Sequence, residues 1–184
     1  EAASSELIGF HSVASELGKF GSETDSIRLQ AYQLIADAAI KPKAILFDLD
    51  DTVWRGALDT FSSGPSYSHG SDGEGNFVRD YCGNKIRMFP QVAAILSAVF
   101  DAGIHVVLCS RNSRPSWCRS AIEAYKLPDG RLFADIVHPA SVIRDADKNQ
   151  HINRIHRKLN EHSQVLFEQM LFFDDVPNNA KIAN

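Results

Sequence analysis

Two aspartates one residue apart, Asp48 and Asp50, followed directly by Asp51 and Thr52, close the apolar run A-I-L-F. A second polar group, Ser110, Arg111, Asn112 and Ser113, follows I-H-V-V-L-C, and a third, Asp174 and Asp175, follows M-L-F-F. Two carboxylates at about 4 Å repel by roughly 4 kcal/mol at an effective dielectric of about 20. Acids gathered from these segments therefore stay ionised only beside a cation, or else they bind protons. Every candidate ligand atom is an oxygen, with neither Cys nor His in the cluster, which selects a hard ion of the magnesium kind over zinc. For Asp174 and Asp175 a second reading stands beside this one, a helix N-cap at the positive end of the helix dipole.

The elements that must position these residues alternate along the chain. Residues 5 to 40 read as two amphipathic helices, the first with Leu7, Phe10, Val13 or Ala14 and Leu17 on one side, the second with Ile27, Leu34, Ile35 and Ala38. Gly21 and Ser22 separate them, and Pro42 ends the second. At residue 44 the pattern changes to a short apolar run, a buried strand. The stretch from Gly56 to Gly75 is rich in Gly and Ser and has no period, so it reads as a mobile surface loop. A hairpin follows, with F-V-R-D-Y and I-R-M-F alternating on either side of the turn C-G-N-K. Beyond it come a helix from Pro90 to about Gly103, the strand I-H-V-V-L-C, a helix over about 115–126, a short strand A-D-I-V-H, a helix over about 147–160 and the strand M-L-F-F-D. This alternation predicts an α/β fold, a Rossmann-like three-layer sandwich with a mostly parallel central sheet. Ligands in such sheets gather outside the carboxyl ends of the strands, where the three polar groups stand.

Composition narrows the class further. The chain of 184 residues has 44% hydrophobic and 23% charged residues, the balance of a globular domain. Its 19 Lys and Arg against 23 Asp and Glu give a net charge of -4, so no broad attraction to nucleic acid or an anionic membrane is expected. No apolar run is long enough to span a membrane. Cys82, Cys109 and Cys118 are odd in number and lack metal-ligand spacing, which favours a reducing compartment, the cytoplasm. Cys109 opens no cysteine-nucleophile phosphatase loop, because the arginine required six residues on is replaced by Pro115. His151, His156 and His162 have spacings wrong for an i, i+4 zinc pair and receive no role.

The segment F-D-L-D-D-T at 47–52 resembles the first motif, D-x-D-x-T, of the haloacid dehalogenase superfamily of phosphotransferases. C-S-R-N-S at 109–113 resembles its second motif, Lys148 its third and L-F-F-D-D at 171–175 its fourth, in the same order. Trp54, the hairpin V-R-D-Y-C-G-N-K-I-R-M-F-P and K-N-Q-H-I-N-R-I-H-R-K-L are similar to its small magnesium-dependent phosphatase subgroup. The resemblance implies Asp48 as nucleophile, forming an aspartyl-phosphate, and Asp50 as the acid and base that serves the leaving group and then water. It implies Mg2+ on the Asp48 side chain, the Asp50 backbone carbonyl and Asp174, with Asp175 bound directly or through water. Ser110 and Lys148 would bind phosphate oxygens, Arg111 the phosphate or the rest of the substrate, and Thr52 would orient the first motif. Lys148 could instead be a solvated lysine at a helix start, with Arg144 competing for its role.

The resemblance thus implies a magnesium-dependent phosphomonoester hydrolase acting on a phosphorylated small molecule or a phosphoprotein, the subgroup being associated with phosphotyrosine and sugar phosphates. Neither gap between motifs holds a cap domain. A small β-hairpin flap and an open site are expected, with Trp54, Phe77, Tyr81 and Arg111 as candidates either to line the entrance or to serve in packing. The alternatives are a receiver-like phosphoacceptor domain and a non-catalytic phosphate-binding module. Residues 1–42 are expected to be a helical extension able to contact a protein partner. Residues 43–184 are expected to be the phosphatase core, its sheet cut short at the C-terminus.

Overall fold

A computed structural model describes residues 23–161 and 163–180. The first expected helix, the Gly21–Ser22 break, His162 and the last four residues lie outside the described residues. Four strands, β1 (Ala44–Phe47), β5 (His105–Ser110), β6 (Val142–Ile143) and β7 (Met170–Phe173), form a parallel sheet in the order β6-β5-β1-β7. The order places β1 between β5 and β7, so the three polar groups end on neighbouring strands. Alternate residues of β1 face opposite layers. Ile45 and Phe47 join a core with Ala93, Leu96 and Val99 of α3 (Pro90–Asp101) and Ala121 and Ile122 of α4 (Pro115–Ala124). Ala44 and Leu46 join a second core with Ile152, Ile155 and Leu159 of α6 (Lys148–Leu159). This is the expected three-layer α/β sandwich.

Ahead of the sheet, α1 (Glu23–Asp37) packs on α3, and of the apolar residues expected on one side only Leu34 turns outward. Tyr32 is buried and Ile35 meets the core, whereas Leu34 is 74% exposed. Arg28 and the Tyr32 hydroxyl reach Asp101 on α3 at 2.7 and 3.4 Å, and Arg131 joins the same carboxylate at 2.6 Å. Those polar partners fix the roll of the helix.

Two expectations about local structure are corrected. Within the segment read as a mobile loop, Leu58–Phe61 is a helical turn, α2, and Ser68–Asp72 is a strand, β2, paired antiparallel with β3 (Gly75–Arg79). With β4 (Lys85–Ile86) they make a three-stranded sheet, so the flap is larger than one hairpin. Composition misleads here because Gly70 serves close packing: a Cβ added there would lie 2.5 Å from Phe77 Cζ. The run A-D-I-V-H, read as a strand, is helical over Phe133–Ile136, α5. One helical turn buries both Phe133 and Ile136, three residues apart. Val137 makes only an isolated bridge to Val106, and the sheet position is taken by β6.

Asp80 ties the flap to the loop after α2. It is 3% exposed and accepts from the backbone N–H groups of Ser63 (2.7 Å), Cys82 (3.0 Å) and Asn84 (2.9 Å), and from the Ser62 and Asn84 side chains. Burial by itself would raise its carboxyl pKa, yet the donors from Ser63, Asn84 and Ser62 outweigh burial and hold it at about 2. A depressed carboxylate contributes stability that is present above its ordinary value of 3.8 and is lost as pH falls through about 2. Acid unfolding followed by circular dichroism should therefore show a component in that window that Asp80→Asn removes. At pH 7 Asp80→Ala should cost about 2 kcal/mol or more in urea unfolding, since it strands three backbone donors.

Candidate active site

The chain leaves β1 through a tight turn. Val53 and Trp54 amides donate to the Leu49 carbonyl at 2.9 and 3.1 Å, and Asp51 sits at φ 55, its carboxylate accepting from the Gly56 amide at 2.7 Å. This turn holds Asp48 at the strand end, 8% exposed. Its partner comes from 100 residues away: Lys148 Nζ donates to Asp48 Oδ1 at 2.7 Å. The same ammonium lies 2.9 Å from Asp174 Oδ2 and donates to the Cys109 carbonyl at 2.5 Å. Lys148 is 2% exposed, the first residue of α6, behind Asp147, whose carboxylate caps the helix by accepting from the Asn149 amide at 2.8 Å. The reading of a solvated lysine at a helix start is thereby corrected.

One carboxylate oxygen from each of Asp48, Asp174 and Asp175 lies within 4.8 Å of the other two. An all-oxygen set of that span, partly buried, suits a hard divalent ion of the magnesium kind. Asp174 divides its two oxygens. Oδ1 accepts from the Val176 amide and Asn179 Nδ2, both at 2.9 Å, at the head of α7 (Pro177–Ala180), while Oδ2 faces Lys148. One oxygen thus serves the turn that leads into the helix, while the other stays with the carboxylate cluster. Thr52 Oγ1 accepts from the Asp175 amide at 3.1 Å, locking the turn after β1 to the turn after β7.

Electrostatics follow from burial. Burial pushes the Asp48 carboxyl up to about 6 against the pull of Lys148, with Asp174 adding to the rise. Burial also raises Asp175, beside the charges of Asp174 and Asp51. For Lys148 burial acts in the lowering direction, but the Asp48 charge and hydrogen bond prevail and its pKa is raised. Burial pushes the Cys109 thiol up to about 12, so this cysteine stays protonated and inert.

Asp50 stands apart from the carboxylate cluster. Its Oδ1 accepts from Trp54 Nε1 at 2.8 Å and the Leu58 amide at 3.1 Å, and its Oδ2 accepts from Asn112 Nδ2 at 2.7 Å. Asn112 is itself fixed, its amide donating to Ser110 Oγ at 3.2 Å and its Oδ1 accepting from the Arg114 amide at 2.8 Å. Ser110 is 1% exposed at the end of β5, and Arg111 beside it is exposed. Sequence reasoning gave Asn112 no role, although it stands inside the S-R-N-S segment. Of the residues that could line the entrance or pack, Trp54 and Phe77 are buried, at 0% and 2%, Trp54 holding Asp50 and Phe77 packing in the flap. Tyr81 is 69% exposed.

Aspartates just beyond β1 and β7 of a parallel sheet, with a helix-borne lysine between Asp48 and Asp174, are the arrangement expected of a haloacid dehalogenase phosphatase. Residues 40–184 match the acid phosphatase family model, and the chain belongs to that family. It is 32% identical over 138 residues to magnesium-dependent phosphatase 1 of Homo sapiens, covering 75% of this chain and 70% of that protein. A HAD-like hydrolase superfamily protein of Schizosaccharomyces pombe is 27% identical over 143 residues, with 77% and 80% covered. Among solved structures, the phosphatase-domain N-terminal part of a Bacteroides fragilis protein, in complex with Mg, shares the fold with a TM-score of 0.51 and 20% identity. The likeness covers 82% of this chain, which spans 35% of that one.

Proposed function

We propose that this chain hydrolyses phosphate monoesters with the help of magnesium, passing the phosphoryl group through Asp48. The observation that carries the reading is the buried Lys148 ammonium between Asp48 and Asp174, with Asp175 in reach of both. Asp48, Asp174, Asp175 and the Asp50 backbone carbonyl would hold the ion. When bound, the ion neutralises the acids and polarises a phosphate oxygen. An Asp48 oxygen attacks phosphorus in line as the ester P–O bond breaks, and the leaving oxygen takes its proton from Asp50. Water then attacks phosphorus, gives its proton back to Asp50, and the bond to Asp48 breaks to release inorganic phosphate. Ser110 donates a hydrogen bond to an equatorial oxygen, the positive charge of Lys148 beside Asp48 offsets the negative charge that develops there, and Thr52 keeps the turns of β1 and β7 in register.

Substrates of the phosphotyrosine or sugar-phosphate type suit a site with only the small flap beside it. The three free cysteines suit a reducing compartment, the cytosol, and no described helix is long and apolar enough to cross a membrane. Ahead of the core, the exposed Leu34 and Ile40 would give the described part of the N-terminal segment an apolar surface for a protein partner. The receiver-like alternative loses ground, because β6, the third parallel strand in chain order, runs into Arg144 where a receiver carries its acceptor aspartate.

The test is release of inorganic phosphate from 4-nitrophenyl phosphate, with magnesium and after chelation. Turnover that disappears on chelation and returns with magnesium is expected; equal rates in both would overturn the reading. Asn112→Ala should lower kcat by about tenfold or more with little change in KM in the same assay, because it releases the Asp50 carboxylate from one of its three donors.

A further inference from the structure

β5 and β6 are neighbouring parallel strands in which Ser110 pairs with Ile143. The residues that follow, Arg111 and Arg144, therefore emerge side by side at the carboxyl edge of the sheet, and the Arg144 amide donates to the Ser110 carbonyl at 3.1 Å. Both are exposed, and among the described residues neither guanidinium has a carboxylate within ion-pair distance. One turn into α6 from Lys148 stands His151, 0% exposed, with neither ring nitrogen hydrogen-bonded. Buried polar groups without partners are rare, and each calls for a ligand or another explanation. The charges that act on this ring are those of Lys148, Arg144 and Arg111, against the single carboxylate of Asp147. Lys148 is committed to Asp48, Asp174 and the Cys109 carbonyl, and Asp147 to its helix cap. Two uncommitted guanidiniums and an unpartnered imidazole thus adjoin the reaction centre.

The geometry points to a second anion subsite, formed by Arg111 and Arg144 and backed by His151, that binds an anionic group carried on the leaving-group side of the phosphomonoester. The inference rests on the proposed hydrolase and narrows its substrate class to phosphomonoesters with a second anion, a carboxylate or another phosphate. Guanidinium pairs grip either group through two parallel hydrogen bonds. Burial, reinforced by Lys148, Arg144 and Arg111, lowers His151 to about 4. At neutral pH the ring is therefore uncharged and offers one N–H donor.

The test compares phenyl phosphate, 4-carboxyphenyl phosphate and hydroquinone bisphosphate, read in KM because the para substituent alters the leaving group. At least one anionic-tailed substrate should have a KM about tenfold or more below that of phenyl phosphate, as a charge-assisted contact allows. Arg144→Gln should bring that ratio close to one. A lower KM for the carboxylate assigns a carboxylate-bearing substrate, and a lower KM for the bisphosphate assigns a second phosphate. Equal KM values for all three in the wild-type chain would overturn the subsite, whether or not the variant folds. Calorimetry with phenylphosphonate and 4-carboxyphenylphosphonate, together with the NMR resonances of the His151 ring, reads binding without turnover. Tighter binding of the carboxylated compound with a shifted His151 resonance supports the subsite even if no ester is hydrolysed, a result that would sink only the hydrolase. Equal phosphonate affinities with unmoved ring resonances would contradict the subsite while leaving the hydrolase intact.

Discussion

Asp48→Asn is expected to reduce phosphate release from an aryl phosphate by at least about 10⁴-fold while the protein remains folded, a loss of the size seen when a nucleophile is removed. The amide is nearly isosteric with the carboxylate but is a poor nucleophile toward phosphorus and a weak ligand for a hard cation. Lys148 keeps Asp174 and the Cys109 carbonyl as partners in this variant, so the α6 terminus stays anchored. Single-turnover phosphate release, set beside thermal melting of the same sample, separates loss of chemistry from loss of fold. Full turnover by the variant would remove Asp48 from the reaction.

The second large effect concerns Lys148. Lys148→Met deletes the cation between two acids, and breaking a buried ion pair from one side costs about 3–5 kcal/mol. Because Asp48 is buried and already resists ionisation, the metal-free variant should unfold at clearly lower urea concentration. Magnesium supplies the missing positive charge, so it should restore more stability to the variant than to the wild type; an ion at about one hundred times its Kd contributes about 2.7 kcal/mol. Activity should still fall by about 10²- to 10³-fold with magnesium saturating, because the fixed positive charge beside the equatorial oxygens is gone. A variant as stable as the wild type without metal would show that the ion pair carries no weight in the fold.

β1 and β5 were legible because parallel strands buried on both faces read as continuous apolar runs, and β7 is equally apolar although Leu171 and Phe173 are exposed on it. A-I-L-F, V-V-L-C and M-L-F-F each end in polar residues that a core would not accept. The β2 strand was illegible for the opposite reason. S-H-G-S-D has little strand propensity, and its pairing depends on Phe77, brought over Gly70 by the turn at Gly73 and Glu74. Over four or five residues, period two and period three cannot be told apart, so A-D-I-V-H passed for a strand when Ile136 lies with Phe133 on one face of a turn. In the site, the aspartates announced themselves by type and spacing. Lys148 did not, since nothing local marks a lysine whose partner lies 100 residues away; only the resemblance singled it out. For Trp54 and Phe77 lining an opening and packing stood as equal readings, because sequence carries no burial information for a lone ring. His151 was judged only against zinc spacing, a test blind to an isolated buried imidazole.

The proposed chemistry requires a divalent ion that joins carboxylates delivered by β1 and β7. Anomalous diffraction from crystals soaked in manganese, which takes the same oxygen ligands as magnesium, measures this directly. A peak bonded to Asp48 and Asp174, with Asp175 beside it or linked through water, is the expected result. A map with no peak there, and Lys148 still paired to both acids at saturating metal, would contradict it.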